Sequence, residues 1–188
     1  DVQPLFDACA GFGDLLGMPP GCAGTLPELL SEMDRLGIDR ALVWHRSCLA
    51  IDPLLSNRRF DEQAGGDPRL VRAWAAVPDR AGSVPKASAF VEDLLGSGAR
   101  AAKCFPVTMH WSTEDWCAGP LFSVLAERRV PAIFPFGEIA LPALESVLAR
   151  HPALPVILSE VGYRENRSLF PMLERHPNLH LDSSPPYS

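Results

Sequence analysis

Short apolar runs alternate with segments of helical apolar spacing from Leu5 to Asp182, and this alternation constrains the fold more than any other feature. A strand, a helix and a second strand in succession pack as a right-handed crossover, so a repeated series builds a parallel sheet covered by helices. Leu26, Leu29, Leu30, Met33 and Leu36 fall on one helical face, with Thr25-Leu26-Pro27-Glu28 as a start signal and Gly37 as a stop. The same reasoning predicts further helices over 52–63, 86–95, 121–129, 141–150 and 169–175, the first of them irregular and closed by the turn Gly65-Gly66-Asp67-Pro68. Strands are predicted at the first apolar run, then over 40–44, 70–77, 101–105, 130–136, 156–159 and 179–182.

Seven strands fall one short of a complete (β/α) barrel, which typically takes about 250 residues. The expectation is therefore a single α/β domain over 1–188, a distorted TIM-like (β/α) barrel lacking its last helix, strand and helix, with the chain truncated after Ser188 or its remainder supplied elsewhere. Two unpaired strand edges make association as a homo-oligomer an expected outcome. A domain of 188 residues buries roughly 70% of the surface its unfolded chain exposes, enough for a real core. The net charge of −6 argues against nucleic acid, whose phosphates call for clustered Lys and Arg. No apolar stretch approaches the roughly 20 residues of a membrane span, and the first residues carry no secretory pattern. Five cysteines without a Cys-x-x-Cys pair suggest neither a zinc ribbon nor a disulfide scaffold, which fits a reducing cytoplasm.

Particular fragments narrow the class further. The first strand reads Leu5-Phe6-Asp7-Ala8-Cys9-Ala10-Gly11-Phe12-Gly13, followed later by Leu36-Gly37-Ile38-Asp39-Arg40-Ala41-Leu42-Val43, Ala102-Lys103-Cys104-Phe105-Pro106, His151-Pro152-Ala153-Leu154-Pro155-Val156-Ile157-Leu158-Ser159-Glu160 and His176-Pro177-Asn178-Leu179-His180-Leu181-Asp182. In order and spacing these resemble the amidohydrolase-related family of metal-dependent hydrolases and decarboxylases. The resemblance implies a β/α barrel whose C-terminal face holds one or two divalent metals, usually zinc, that activate a water. It also implies histidines where this chain has Cys9 and Gly11 on strand one, a strand-five ligand where it has Pro135, and a strand-six histidine where it has Glu160. Glycine and proline offer no side-chain donor, and Cys9 with Glu160 falls short of the three protein ligands of a catalytic zinc site. No metal and no other cofactor is expected for a chain with these substitutions.

The polar groups left at the strand ends are the candidates for chemistry. Glu160, Lys103 and Cys9 are the catalytic candidates: a general base in partly apolar surroundings, a cation for an anionic substrate, and a thiol nucleophile. Each has a plainer alternative, with Lys103 and Glu160 as an ion pair and Cys9 as a small residue filling the space of a lost imidazole. His45, Arg46, His110, Trp111 and Asp182 are the substrate-binding candidates, with His110 and Trp111 on a long loop expected over 107–117. His151 and His176, each before a proline at a helix end, read as structural. Two functions stay open: a hydrolase or carbon–carbon lyase acting on a small carboxylated substrate with a degenerate metal site, and a non-catalytic relative that binds a ligand or partner.

Overall fold

The computed structural model describes residues 3–15, 21–64, 66–79 and 85–182. Seven strands are present: β1 (Phe6–Phe12), β2 (Arg40–His45), β3 (Leu70–Ala76), β4 (Ala101–Cys104), β5 (Ala132–Pro135), β6 (Val156–Ser159) and β7 (Leu179–Leu181). Between them run α1 (Leu26–Leu36), α2 (Pro53–Ala64), α3 (Ala87–Ser97), α4 (Asp115–Glu127), α5 (Leu141–Arg150) and α6 (Asn166–Arg175). All pairings are parallel and the strand order follows the chain, β1 to β7, which makes one curled TIM-like α/β sheet wrapped by helices. Among the described residues β1 and β7 do not pair with each other.

Local chemistry accounts for the boundaries. Thr25 accepts a hydrogen bond from the Glu28 amide while the Glu28 carboxylate accepts from Thr25 N–H at 3.2 Å, a reciprocal cap that starts α1, and Gly37 at φ 67° ends it. The helix expected over 121–129 begins at Asp115 instead, with Pro120 inside it. A proline one turn in removes one backbone bond, to the Trp116 carbonyl, and Trp116 is 81% exposed, so water can take the freed acceptor. The loop after β4 is correspondingly shorter than 107–117. Likewise α6 begins three residues before the expected Leu169 and contains Pro171. The turn signal around Gly65 includes a residue outside those described.

The helices cover the outer face of the sheet, where Phe12, Val43, Trp74, Cys104, Phe134 and Leu158 meet Met33, Phe60, Phe90, Phe122 and Leu144 in one core. At an order-of-magnitude level each fully buried large side chain there stabilises by about 1.5–3 kcal/mol. The inner face carries a thinner packing of Leu42, Ala73, Ala101 and Ile133, with Trp44, Cys48, Ala75 and Phe105 above it. A bulge sets which side of β1 faces inward. The register steps from Asp7 beside Ala41 to Ala10 beside Val43, three residues against two, and this extra residue leaves Ala10 and Phe12 in the outer core. Cys9 and Gly11 therefore face the interior.

Candidate active site

Alternation along β4 turns Lys103 into the centre of the curled sheet, where it is 1% exposed. Its ammonium donates to Cys9 Sγ at 3.4 Å and to Ser159 Oγ at 3.2 Å, and it lies 5.2 Å from the Trp44 ring centroid and 6.0 Å from that of Phe105. These partners are neutral groups and aromatic faces rather than a carboxylate. The expected Lys103–Glu160 ion pair is thus not formed.

Glu160 instead sits half-buried just past β6, with a left-handed backbone at φ 64°. That conformation costs a non-glycine residue roughly 1–2 kcal/mol, and such strain gathers where the chain must aim a side chain. Burial pushes the Glu160 carboxyl above the ordinary carboxylate range, against the pull of Lys103, and the nearby Asp182 and Glu138 push it further up. Asp182 follows β7 half-buried, its amide bonded to Leu158 O and its carbonyl accepting from Val161 N–H. Glu138 is committed elsewhere: its carboxylate accepts from the Val107 and Thr108 amides and from the Thr108 hydroxyl, which anchors the loop after β4 to the turn after β5.

The remaining sequence candidates separate into two groups. Arg46 is buried beside strand one; it donates to Ala23 O at 2.9 Å, and burial holds its guanidinium below its usual range. His45, one residue earlier, points to the outer face instead, edge-on to Phe12 with centroids 4.8 Å apart. Its Nδ1 accepts from the Ser47 amide, and burial is the main cause of its lowered pKa. Trp111 packs beside Phe122 on the outer core. His110, exposed and at φ 53°, lines a cleft of about 430 Å³ with Trp111, Thr113, Glu138 and Ile139. The structure therefore brings Cys9, Lys103 and Glu160 to one end of the sheet, with Arg46 flanking Cys9 and Asp182 near Glu160. It sends His45, His110 and Trp111 elsewhere. Sequence reasoning missed Trp44, Phe105 and Ser159, although the lone hydroxyl closing the run Val156-Ile157-Leu158 and the inward phase of Trp44 were signals for two of them.

The metal implied by the resemblance can be tested against these residues. Gly11 and Trp44 are register partners, and a Cβ at position 11 would lie 2.9 Å from Trp44 Nε1 and 3.4 Å from Arg46 Nε. An imidazole there would have to displace the Trp44 indole. Among the described residues no three His, Cys, Asp or Glu side chains gather to hold a metal ion. The residues do not fit the family's metal. Two other thiols, Cys48 and Cys104, are pushed up to about 12 by burial and serve as packing.

Comparison with known proteins agrees with this architecture. The sequence profile described as amidohydrolase matches residues 17–188. No curated protein matches the chain. Among solved structures, an uncharacterised TIM-barrel protein from Bordetella bronchiseptica is 16% identical with a TM-score of 0.72, covering 97% of this chain and 75% of that one. Dihydroorotase from Campylobacter jejuni is 12% identical with a TM-score of 0.61, and the match spans 94% of this chain but only 52% of that enzyme. A protein named for 2-pyrone-4,6-dicarboxylic acid hydrolysis, from Pseudomonas putida, is 15% identical with a TM-score of 0.58, covering 98% of this chain and 84% of that one. At these identities the likeness shows the fold. No helix among the described residues is long and apolar enough to cross a membrane.

Proposed function

Because the chain belongs to the amidohydrolase family yet packs the Trp44 indole against position 11, where the family has an imidazole, we propose that it handles a small carboxylated substrate through Lys103 and Glu160 rather than through a metal-bound water. One observation carries this reading: a buried ammonium whose hydrogen-bond partners are a thiol and a hydroxyl, within electrostatic reach of a half-buried glutamate. A cation in low-dielectric surroundings without a carboxylate partner attracts an anion far more strongly than one in water. Arg46, beside Cys9, adds a second positive charge on the strand-one side.

The Glu160 carboxyl, raised by burial, is the group placed to take up and return a proton. In a hydrolysis, Glu160 takes a proton from the attacking water as its oxygen bonds to the substrate carbonyl. It then returns that proton to the leaving atom as the scissile bond breaks, while Lys103 stabilises the negative charge that develops between the two steps. A carbon–carbon lyase would use the same pair, with protonated Glu160 supplying a proton to the carbanion left behind. Cys9, held against Lys103, stands as the alternative nucleophile.

Dihydroorotate and 2-pyrone-4,6-dicarboxylate, small carboxylated rings chosen after the names of two structural neighbours, are suitable first probes. Turnover followed by absorbance should be lost in Glu160→Gln and in Lys103→Met while both variants remain folded by circular dichroism. Isothermal titration of each compound accompanies the assay. If both bind and neither turns over, the non-catalytic ligand-binding reading replaces the enzymatic one; if neither binds, the carboxylate reading itself falls.

A further inference from the structure

We infer that in this chain the Lys103 ammonium, walled by the Trp44 indole, has taken over the position and electrostatic role of the family's divalent cation, and that the site rejects metal. The inference deepens the carboxylate-handling reading above and rests on it for the nature of the ligand.

Five strands converge on the same small volume, β4 among them with Lys103 itself. From β1, Cys9 contributes a thiol whose Sγ is 3.4 Å from Lys103 Nζ. Zinc would sit about 2.3 Å from a thiolate sulfur, so a doubly charged ion on Cys9 would share that sulfur with an ammonium that cannot leave its chain. The two repel strongly where water does not screen them. From β2, Trp44 closes the neighbouring position, since even a Cβ at Gly11 would lie 2.9 Å from Nε1 and 3.1 Å from Cε2. From β5, Pro135 supplies no side-chain donor, and its register partner on β6, Ser159, turns its hydroxyl to Lys103 Nζ at 3.2 Å. Strand one, strand five and strand six thus lack or divert their donors, and β4 fills the vacated centre with a cation of its own.

An ammonium and a divalent metal are not equivalent replacements. Both hold an anion and stabilise negative charge, but the lysine does not bring a bound water down to a pKa of about 7 as zinc does. A site built this way therefore depends on Glu160 for moving protons and on Lys103 for charge alone, which divides the two roles between residues that can be altered separately.

The test uses the purified chain. Cobalt chloride and zinc chloride are titrated against wild type and Cys9→Ser, with thiolate-to-cobalt absorption and metal retained through gel filtration as readouts. In parallel, malonate binding is measured by isothermal titration with and without EDTA in wild type, Lys103→Met and Lys103→Arg. The expected result is no Cys9-dependent cobalt band, no stoichiometric zinc, and malonate binding indifferent to EDTA. Affinity should fall roughly 10–100-fold in Lys103→Met, as for a lost hydrogen bond to a charged group, and be largely kept in Lys103→Arg. A cobalt band that disappears in Cys9→Ser, stoichiometric zinc, or malonate binding abolished by EDTA would overturn the inference. Rejection of both metals without any malonate binding would sink the carboxylate reading and leave the replacement of the metal supported, so the two failures are distinguishable.

Discussion

The contact between Gly11 and Trp44 allows the packing argument to be tested directly. Gly11→Ala adds one methyl group whose carbon would stand 2.9 Å from Trp44 Nε1 and 3.1 Å from Cε2, where comfortable carbon contacts are about 3.5–4.0 Å. The indole has little freedom to yield, because Lys103 lies over its face and the Phe105 ring centroid is 5.2 Å away. Overpacking of a well-filled interior costs about 1–3 kcal/mol. Against this, Gly11 is not among the glycines with positive φ, so alanine suits the backbone and stabilises by about 0.4–1 kcal/mol through the unfolded chain. The net expectation is a loss of about 1–2 kcal/mol, or a melting temperature lower by about 2–8 °C for a chain of this size.

Scanning calorimetry on wild type, Gly11→Ala, Trp44→Phe and the double variant provides the measurement. Trp44→Phe removes the atoms that crowd position 11, so in that background Gly11→Ala should cost little, giving a coupling of about 0.5–2 kcal/mol. If Gly11→Ala matched or exceeded wild-type stability, or if the two changes were additive, Trp44 would not be the group that closes the first-strand position.

Three further outcomes follow from the same geometry. Lys103→Met should raise stability by about 1–4 kcal/mol in urea unfolding, because a buried ion gives way to an apolar side chain of similar length, while ligand affinity falls; destabilisation would mean that the ammonium is better satisfied than its contacts suggest. Glu160 has a raised folded-state pKa, so the fold favours its protonated form and the associated stability, present below the ordinary carboxylate pKa, is lost as pH rises through the raised value; Glu160→Gln should abolish this part of the pH dependence in urea titrations from acidic to neutral pH. His45 is lowered, so the fold favours its neutral form and stability falls as pH drops below about 6.5; His45→Gln should flatten the stability profile between about pH 7 and pH 5, and an unchanged profile would refute the assignment.

Much of the architecture was legible because local signals agreed with the global fold. Helix α1, helix α5 and strand β6 occupy the residues their patterns predict, with a reciprocal cap and a left-handed glycine bounding α1. The early starts of α4 and α6 were not legible, since Pro120 and Pro171 read as helix breaks and only the folded chain shows the turns that accommodate them. The site divides in the same way. Cys9, Lys103 and Glu160 could be named from strand-end position, but their partners depend on register and on one bulge. The strand end identifies His45 as near the mouth, while strand phase decides which residues face inward; Trp44 takes the inward phase and His45 the outward one.

The same dependence on phase distinguishes a working site from a decayed one. A metal site under no constraint has an easy physical route to stability, which is to fill the centre with apolar side chains, as Leu42, Ala73, Ala101 and Ile133 already do nearby. This chain instead holds an ammonium at 1% exposure, a glutamate in a left-handed backbone conformation and a carboxyl pushed up by burial, all at one end of the sheet. Each is unfavourable alone, and their coincidence is the pattern expected where function opposes stability. The corresponding measurement is the double variant Lys103→Met with Glu160→Gly. Removing the buried charge and the backbone strain together should give a chain more stable than wild type that binds no malonate. A double variant less stable than wild type would show instead that these groups support the fold, and the case for a working site at this end of the sheet would fail.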